Sequence, residues 1–269
     1  WLYWYGYGLM TRPAIAAERQ NSEEAFVQEV RLVSNGDQQF DWTMGVFYMD
    51  QEASAAQQTR ARGFQEWWAA ASGPAPYQGF LAEPPYSYIG LYYDPTTNIT
   101  FDWTHEREFK DFALFGEVTW DLSETLSATV GARYFDNKDK VTSQTSFPIW
   151  YLSNPIVTDT NKDSDTLLRF NLAWDYSDSA MIYGTISEGY RRGGTNAVPV
   201  RPDASYPNDP EWNSFDSDSV LNYEIGIKGQ TDNLNYTIAA FYVDWSDPQV
   251  NVATPSGAYY AVANGSEAS

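Results

Sequence analysis

The chain of 269 residues carries 36 acidic and 16 basic side chains, a formal net charge of -20 and an aromatic content of 17%. Such an acidic chain repels phosphate backbones, so we do not expect nucleic acid as a partner. The lack of cysteine excludes disulfide scaffolds and thiolate chemistry, and a single histidine leaves little for a histidine metal centre or a serine-type triad. The many carboxylates leave a glycosidase-like pair open, but we expect no enzyme.

Eight segments alternate apolar and polar residues with a period of two, and none follows the helical period. They lie at 25–34, 40–50, 110–121, 125–136, 166–176, 180–190, 220–229 and 234–246. We therefore predict an all-β fold. The longest apolar runs fall far short of the roughly 20 residues that a membrane-spanning helix needs.

The connections between these segments alternate strictly between short and long. Short polar turns lie at 35–37, 121–124, 177–179 and 230–233, and long loops at 51–109, 137–165, 191–219 and 247–258. Hairpins with tight turns at one end and long loops at the other are typical of an outer-membrane barrel. The prediction is thus a transmembrane antiparallel β-barrel, an up-and-down meander with long extracellular loops. A soluble β-sandwich with the same apolar stripes turned inward is the alternative.

The two faces of each predicted strand differ in polarity. One face is free of charge and holds residues such as Leu114, Val130 and Ile225, which suits contact with lipid. The opposite face is polar, and we expect its charged residues to line the lumen: Glu117, Arg133, Arg169, Glu224 and Lys228. Small residues on that face predict a wide lumen: Gly45, Gly131, Ala173, Gly226 and Ala239.

Aromatic residues lie near both ends of the apolar stripes, where they predict two membrane-interface girdles. Those beside the short turns are Trp42, Trp120, Trp174, Tyr176 and Tyr236. Those toward the long loops are Tyr48, Tyr134, Tyr190 and Tyr242.

Beyond this pattern, six segments carry a more specific signal: FVQEVRLVS (26–34), FDWTMGVFYMDQE (40–52), FALFGEVTWDLSETLSATVGARYFDNKDKV (112–141), MIYGTISEGYRRGGTNA (181–197), LNYEIGIKG (221–229) and LNYTIAAFYVDWSDPQV (234–250). In this order they resemble the barrel of TonB-dependent outer-membrane receptors. The segment VANGSEAS (262–269) looks like the opening of the next strand of that family.

The resemblance implies a Gram-negative outer-membrane receptor that imports a scarce ligand: a ferric siderophore, or a carbohydrate or vitamin-like compound. Its implied partners are outer-membrane lipid, the small-molecule ligand and the TonB complex, the last reached through a plug that the lumen charges would contact. Residues 1–269 would form part of one barrel domain, with about 8–10 of the 22 strands of plugged transporters. The plug and C-terminal strands would lie outside this sequence, so we expect an open sheet with unpaired first and last strands.

Two other functions remain as alternatives at this point. One is a soluble or surface carbohydrate-binding β-protein. The other is a small self-contained outer-membrane barrel, since eight strands suffice for closure.

Two groups of residues are candidates for ligand binding. Loop 51–109 holds aromatic residues that could stack on a flat ligand or pack on one another: Trp67, Trp68, Tyr86, Tyr88, Tyr92 and Tyr93. Arg191 and Arg192 follow a predicted strand and could bind an anionic ligand such as a ferric chelate. Alternatively, the two arginines pair with the acidic loop 203–218.

We expect no required cofactor, but one segment resembles the start of a calcium loop. Asp159, Asn161, Asp163 and Asp165 place oxygen side chains at every second residue. The segment lacks the glycine and the final glutamate of such a loop, with Phe170 at the glutamate position. A solvated acidic loop is the alternative to a weak Ca²⁺ site.

Overall fold

The computed structural model describes residues 14–35, 39–63, 96–150, 152–153, 156–196, 214–253 and 260–265. Within them, the strands are β1 (Ala14–Val33), β2 (Phe40–Arg62), β3 (Ile99–Asp121), β4 (Leu126–Phe147), β5 (Leu152–Ser153), β6 (Val157–Ser177), β7 (Ala180–Arg191), β8 (Gly194–Thr195), β9 (Ser214–Phe215), β10 (Asp218–Thr231), β11 (Leu234–Ser246), β12 (Gln249–Ala253) and β13 (Tyr260–Asn264). A single 3-10 turn, Pro148–Trp150, is the helical element of the described residues. No helix among them is long and apolar enough to cross a membrane.

The long strands form one antiparallel sheet in the order β1-β2-β3-β4-β6-β7-β10-β11, which is chain order apart from short strands. Strand β5 adds to the end of β4, and β8-β9 and β12-β13 form separate two-stranded sheets. Within the described residues, β1 pairs only with β2 and β11 only with β10, so the sheet is open. This confirms the predicted open meander and argues against a closed ring of eight strands.

Exposure of the apolar face distinguishes the barrel wall from a sandwich. Leu114, Val130 and Ile225 are 47%, 56% and 62% exposed, and other large apolar side chains of that face are exposed with them. A sandwich would bury this face against a second sheet. The wall therefore presents its apolar side outward, as a lipid-facing barrel wall does.

Five strands extend well beyond their predicted limits at the long-loop end. Strand β2 continues to Arg62, β3 begins at Ile99, β4 continues to Phe147 and β6 begins at Val157, while β1 begins at Ala14. The predicted loop 137–165 is therefore largely strand, and both ends of the predicted loop 51–109 are strand, so this part of the prediction was wrong. The alternation fades there because both faces of the sheet leave the lipid, so the apolar–polar contrast disappears.

Cross-strand ion pairs accompany the backbone ladder in these extensions. Lys110 binds Asp50 at 2.8 Å, and Lys140 binds Glu108 at 2.7 Å, in both cases across neighbouring strands. We divide the wall at the level of Tyr48, Phe112 and Tyr134. The part between this level and the short turns is called the turn half, and the rest is called the loop half.

The aromatic girdles are largely as predicted. At the short-turn end Trp120 stacks on Phe40, with ring centroids 5.4 Å apart. At the other end Tyr48, Tyr134 and Tyr242 are exposed on the apolar face. Tyr190 is an exception.

Tyr190 is partly buried and stacks face to face on Phe135, with ring centroids 3.9 Å apart. Phe135 belongs to the inner face and is 1% exposed. The pairing of β7 with β6 ends at Ser187, while the pairing of β7 with β10 continues to Arg191, so the last residues of β7 are paired on one side only. Tyr190 therefore packs inside the wall instead of joining the girdle.

The inward glycines do not all leave open space. A Cβ at Gly45 would meet the ring of Phe115, its direct partner on β3, and would lie 2.8 Å from the Val30 carbonyl oxygen. At Gly226 the ring of Tyr183, its partner on β7, lies 2.6 Å from such a Cβ. These glycines let neighbouring aromatic rings lie flat along the wall, so the prediction that they simply widen the lumen was wrong at both positions.

Candidate functional site

The predicted lumen charges lie on the inner face, and several of them bind one another across strands. Glu117, Gly131 and Arg169 occupy one lateral row on β3, β4 and β6. Because Gly131 has no side chain, Arg169 reaches across it to Glu117 at 3.7 Å. This pair is exposed to the lumen, so it adds little to stability.

A polar groove continues along the inner face of β6, β7 and β10. The Tyr183 hydroxyl donates to Glu224, and the Lys228 ammonium lies 4.9 Å from the Tyr183 ring centroid. Asn171 donates to Thr185 at 2.7 Å in the same groove. Contact of these groups with a plug remains a prediction.

In the loop half, the chain after β7 folds inward onto the wall. Strands β8 and β9 lie against β4 and β6, where the Asn161 amide donates to the Phe215 carbonyl at 2.9 Å. A Cβ on Gly194 would lie 3.2 Å from the Asp139 carboxylate. The described ends of the predicted loop 191–219 therefore cover the inner face at this level.

A small core lies between this inward segment and the wall. It contains both apolar and polar groups: Phe109, Phe135, Val141, Asn137 and Asp139. The Arg107 guanidinium binds the buried Asp139 carboxylate through two hydrogen bonds of 2.6 and 3.0 Å. A buried carboxylate is tolerated because both oxygens have partners.

The two candidate ligand-binding arginines have different surroundings. Arg191 binds Asp218, with its Nε 3.1 Å from Oδ2, and the Asp218 side chain is only 2% exposed. Burial alone would raise the pKa of Asp218, but hydrogen bonds from Arg191 and from the Gln249 backbone outweigh it and lower that pKa. Of the two alternatives for Arg191, the structure contains the pairing with the acidic loop.

Arg192 instead lies over an aromatic ring. Its guanidinium carbon is 4.0 Å from the ring centroid of Phe109, a cation–π contact. Further along the inner wall, the Arg133 guanidinium lies 5.4 Å from the Phe47 ring and 5.9 Å from the Phe115 ring. Within the described residues, neither Arg192 nor Arg133 has an ion pair with a carboxylate.

Gln249 joins the Arg191–Asp218 pair into what we call the rim clasp. Its backbone N–H donates to Asp218 at 2.9 Å, and its side-chain amide donates to the carbonyls of Arg191, Arg192 and Asp216. The clasp fixes the backbone that carries Arg192. No sequence signal marked Gln249, because a lone glutamine in a predicted loop has no characteristic spacing.

A second set of side-chain amides ties the hairpin β12-β13 to the same rim. Asn196 exchanges two hydrogen bonds of 2.8 Å with the Val262 backbone, and Asn264 binds the Asp216 backbone in the same reciprocal way. The segment from 262 was expected to open the next wall strand. Its residues up to Asn264 pair with β12 instead.

The predicted calcium segment lies within strand β6, not in a loop. Asp159, Asn161 and Asp163 point to the inner face, where alternate side chains are about 6.6 Å apart along the strand. That spacing prevents the convergence of ligands seen in a calcium loop. No cluster of three or more metal-binding His, Cys, Asp or Glu side chains occurs in the described part of the chain. The loop geometry was thus predicted wrongly, and calcium binding by this segment, Asp165 included, remains untested.

The predicted aromatic ligand-binding residues of the first long loop lie outside the described residues. They are Trp67, Trp68, Tyr86, Tyr88, Tyr92 and Tyr93.

Comparison with known proteins gives one consistent result. Residues 6–268 match the family model described as TonB dependent receptor-like, beta-barrel. The pesticin receptor of Yersinia enterocolitica is 26% identical over 181 residues, which is 65% of this chain and 25% of the relative. The pesticin receptor of Yersinia pestis is 25% identical over the same length. The chain thus spans about a quarter of the length of these relatives.

Solved structures show the same fold. The ferric yersiniabactin uptake receptor FyuA of Yersinia pestis superposes with a TM-score of 0.67 at 17% identity, covering 95% of this chain and 32% of that one. The copper transporter OprC superposes with a TM-score of 0.59 at 16% identity, covering 93% and 35%. With an outward apolar wall, a polar inner face and a family match over nearly its whole length, the chain belongs to the TonB-dependent receptor β-barrel family.

Proposed function

We propose that this protein is part of a receptor that captures a ferric siderophore at the cell surface and imports it with energy supplied through TonB. Family membership supports the receptor and transport class, which is not an enzyme class, and the outer membrane of a Gram-negative bacterium as its location. Two structurally similar proteins are described as receptors for ferric yersiniabactin and for ferric catecholates.

The observation that carries the ligand class is the half-buried Arg192 guanidinium on the inner wall, which has no carboxylate partner among the described residues. The guanidinium packs 4.0 Å above the buried Phe109 ring, and such a positioned charge beneath the extracellular mouth suits an anionic ligand. The rim clasp holds the Arg192 backbone in place, since Gln249 donates to its carbonyl at 2.9 Å. A ferric chelate with carboxylate groups is such an anion.

The test uses the full-length receptor and a panel of ferric chelates, with a neutral oligosaccharide and vitamin B12 as competing ligand classes. We expect saturable quenching of tryptophan fluorescence by at least one ferric chelate, and TonB-dependent uptake of radioactive iron from it. Binding of the oligosaccharide alone would instead favour the carbohydrate-binding alternative and overturn the siderophore proposal.

Arg192→Gln should weaken binding of the active chelate about tenfold, the effect of losing one charge-assisted contact of roughly 1.4 kcal/mol. Arg62→Gln removes the same charge from the far end of β2 and serves as its control. Equal affinity of the Arg192→Gln variant and the wild type would exclude Arg192 from the site.

A further inference from the structure

The lysines of this chain are concentrated at one place on the wall. The sequence has five: Lys110, Lys138, Lys140, Lys162 and Lys228. Lys110 is the direct partner of Lys138 across β3 and β4, and Lys138 is the direct partner of Lys162 across β4 and β6. Three lysines therefore form one lateral row, which we call the lysine row, and Lys140 lies two residues beyond it.

The lysine row lies on the outer face, just past the aromatic girdle. Lys110 shares its strand face with the exposed Phe112, two residues or about 7 Å nearer the short turns. Lys138 stands in the same relation to Tyr134, four residues away. Girdle aromatics mark the headgroup level of a membrane, so the lysine ammonium groups lie at or just outside that level.

The charges of the row are only partly neutralised by the protein. Lys110 binds Asp50 at 2.8 Å, and Lys140 binds Glu108 at 2.7 Å. For Lys138 and Lys162 the described residues supply no ion pair, although the exposed Asp136 lies two residues before Lys138 on the same strand face. Like charges directly opposite each other destabilise a sheet. An anion from outside the protein would neutralise the charges of the row that remain unpaired.

We propose that the lysine row, with Lys140, binds the phosphorylated headgroup of a glycolipid in the outer leaflet of the outer membrane. The row crosses two strand spacings, about 10 Å, which suits one headgroup bearing more than one phosphate. Ammonium groups donate charge-assisted hydrogen bonds to phosphate oxygens, and the neighbouring apolar face accepts the acyl chains. This site is separate from the ligand-binding surface proposed above, because it lies on the opposite face of the wall.

The experiment measures binding of bisphosphorylated lipid A to the full-length receptor in mild detergent, by native mass spectrometry at increasing lipid concentration. Each lysine near an anionic surface contributes about fivefold to binding, so Lys138→Gln with Lys162→Gln should weaken lipid binding about 25-fold. Lys138→Arg with Lys162→Arg keeps the charge and should bind lipid within about twofold of the wild type.

The matched control is Arg60→Gln with Arg62→Gln. Both arginines belong to β2, and they lie ten residues or more beyond Asp50, or roughly 34 Å along the strand from the row. Removal of these two charges should leave lipid binding unchanged. Equal losses in the control and the lysine variant would show a general charge effect and overturn the site.

Two further measurements use the unmodified receptor, so they do not depend on the folding of a variant. Fully dephosphorylated lipid A should bind as weakly as bisphosphorylated lipid A binds to the Lys138→Gln, Lys162→Gln variant. Equal binding of the two lipids by the wild type would show that acyl chains alone hold the lipid, which contradicts the proposal. Inorganic phosphate at millimolar concentration should not displace the lipid; complete displacement would assign the row to a free anion instead.

Discussion

The turn half and the loop half of the wall use the same strands with opposite distributions of polar and apolar groups. On β4 in the turn half, Val130 points outward and is 56% exposed, while Gly131 and Thr129 face inward. On the same strand in the loop half, Lys138 points outward, while Phe135 and Val141 face inward and are 1% and 2% exposed. The alternation of side chains continues unbroken, but the medium on each side changes.

The difference shows that strand alternation and burial are separate properties. A period of two only assigns residues to faces. Which face becomes a core depends on what covers it: lipid outside in the turn half, and the inward segment β8-β9 inside in the loop half. Substitutions that are harmful in one half should therefore be mild in the other.

The largest expected effect is the loss of a buried ring in the loop half. Phe135→Ala should cost about 3–5 kcal/mol of unfolding free energy, because the cavity under Tyr190 cannot be filled. Phe170→Ala, the same change at a lipid-facing residue that is 44% exposed, should cost much less because lipid occupies the space. Urea titration of the full receptor in lipid vesicles measures both, and equal costs would contradict the distinction between the halves.

Arginine on the outer face tests the turn half directly. Leu114→Arg, Val130→Arg or Ile225→Arg should destabilise the inserted receptor by about 2–4 kcal/mol near the membrane midplane. Thr129→Arg or Asn222→Arg on the inner face should be far milder. The same folding titration measures these changes, and similar costs on both faces would refute the assignment of the lipid-facing side.

The rim clasp should depend on the charge of Asp218. Asp218→Asn weakens charge-assisted bonds worth about 1.5–3 kcal/mol, so the Gln249 amide should exchange hydrogen at least tenfold faster at neutral pH. Asp216→Asn is the control, because Asp216 joins the rim through its backbone. Unchanged exchange in the Asp218 variant would show that the carboxylate does not hold the clasp.

The pH dependence of the clasp has a definite sign. The folded pKa of Asp218 is lowered below its ordinary value of 3.8. Its stabilising contribution is therefore fully present above that value and is lost as the pH falls through the folded pKa. Hydrogen exchange at Gln249, corrected for the intrinsic rate, should accelerate only in that acidic range.

The smallest effect concerns glycines on the two faces of the turn half. Gly45→Ala forces the Phe115 ring and the Val30 carbonyl aside and should cost about 1–3 kcal/mol. Gly116→Ala on the outer face meets its nearest atom at 3.5 Å and should be tolerated. Thermal unfolding of the full receptor compares the pair. A Gly116 variant as unstable as the Gly45 variant would show that the Phe115 ring does not decide the cost.

How far the sequence predicted the candidate site depended on the range of the interaction. The inner position of Glu117 and Arg169 followed from local alternation, whereas their ion pair across Gly131 required the register of three strands. For Arg191, pairing with the acidic loop and ligand binding were both consistent with the sequence. Only the folded chain brings Asp218 to it, since the two residues are separated by 26 intervening positions.

Some predictions failed because a local pattern has more than one structural meaning. Oxygen side chains at every second residue occur both in a calcium loop and on one face of a strand, and Asp159 to Asp165 adopt the strand. An inward glycine indicates either empty space or room for a neighbouring ring, and Phe115 fills the space at Gly45. The choice in both cases depends on residues distant in sequence.

From the sequence alone, eight strands, their order and the lipid-facing stripe could be predicted, because each rests on the composition and spacing of neighbouring residues. The family followed from the resemblance of particular segments. Tertiary structure decided four other features. These are the extension of the strands beyond the membrane, the inward fold of β8-β9, the different partners of Arg191 and Arg192, and the lysine row. All four depend on which strands pair and in what register, and backbone hydrogen bonds between distant segments settle that independently of any local pattern.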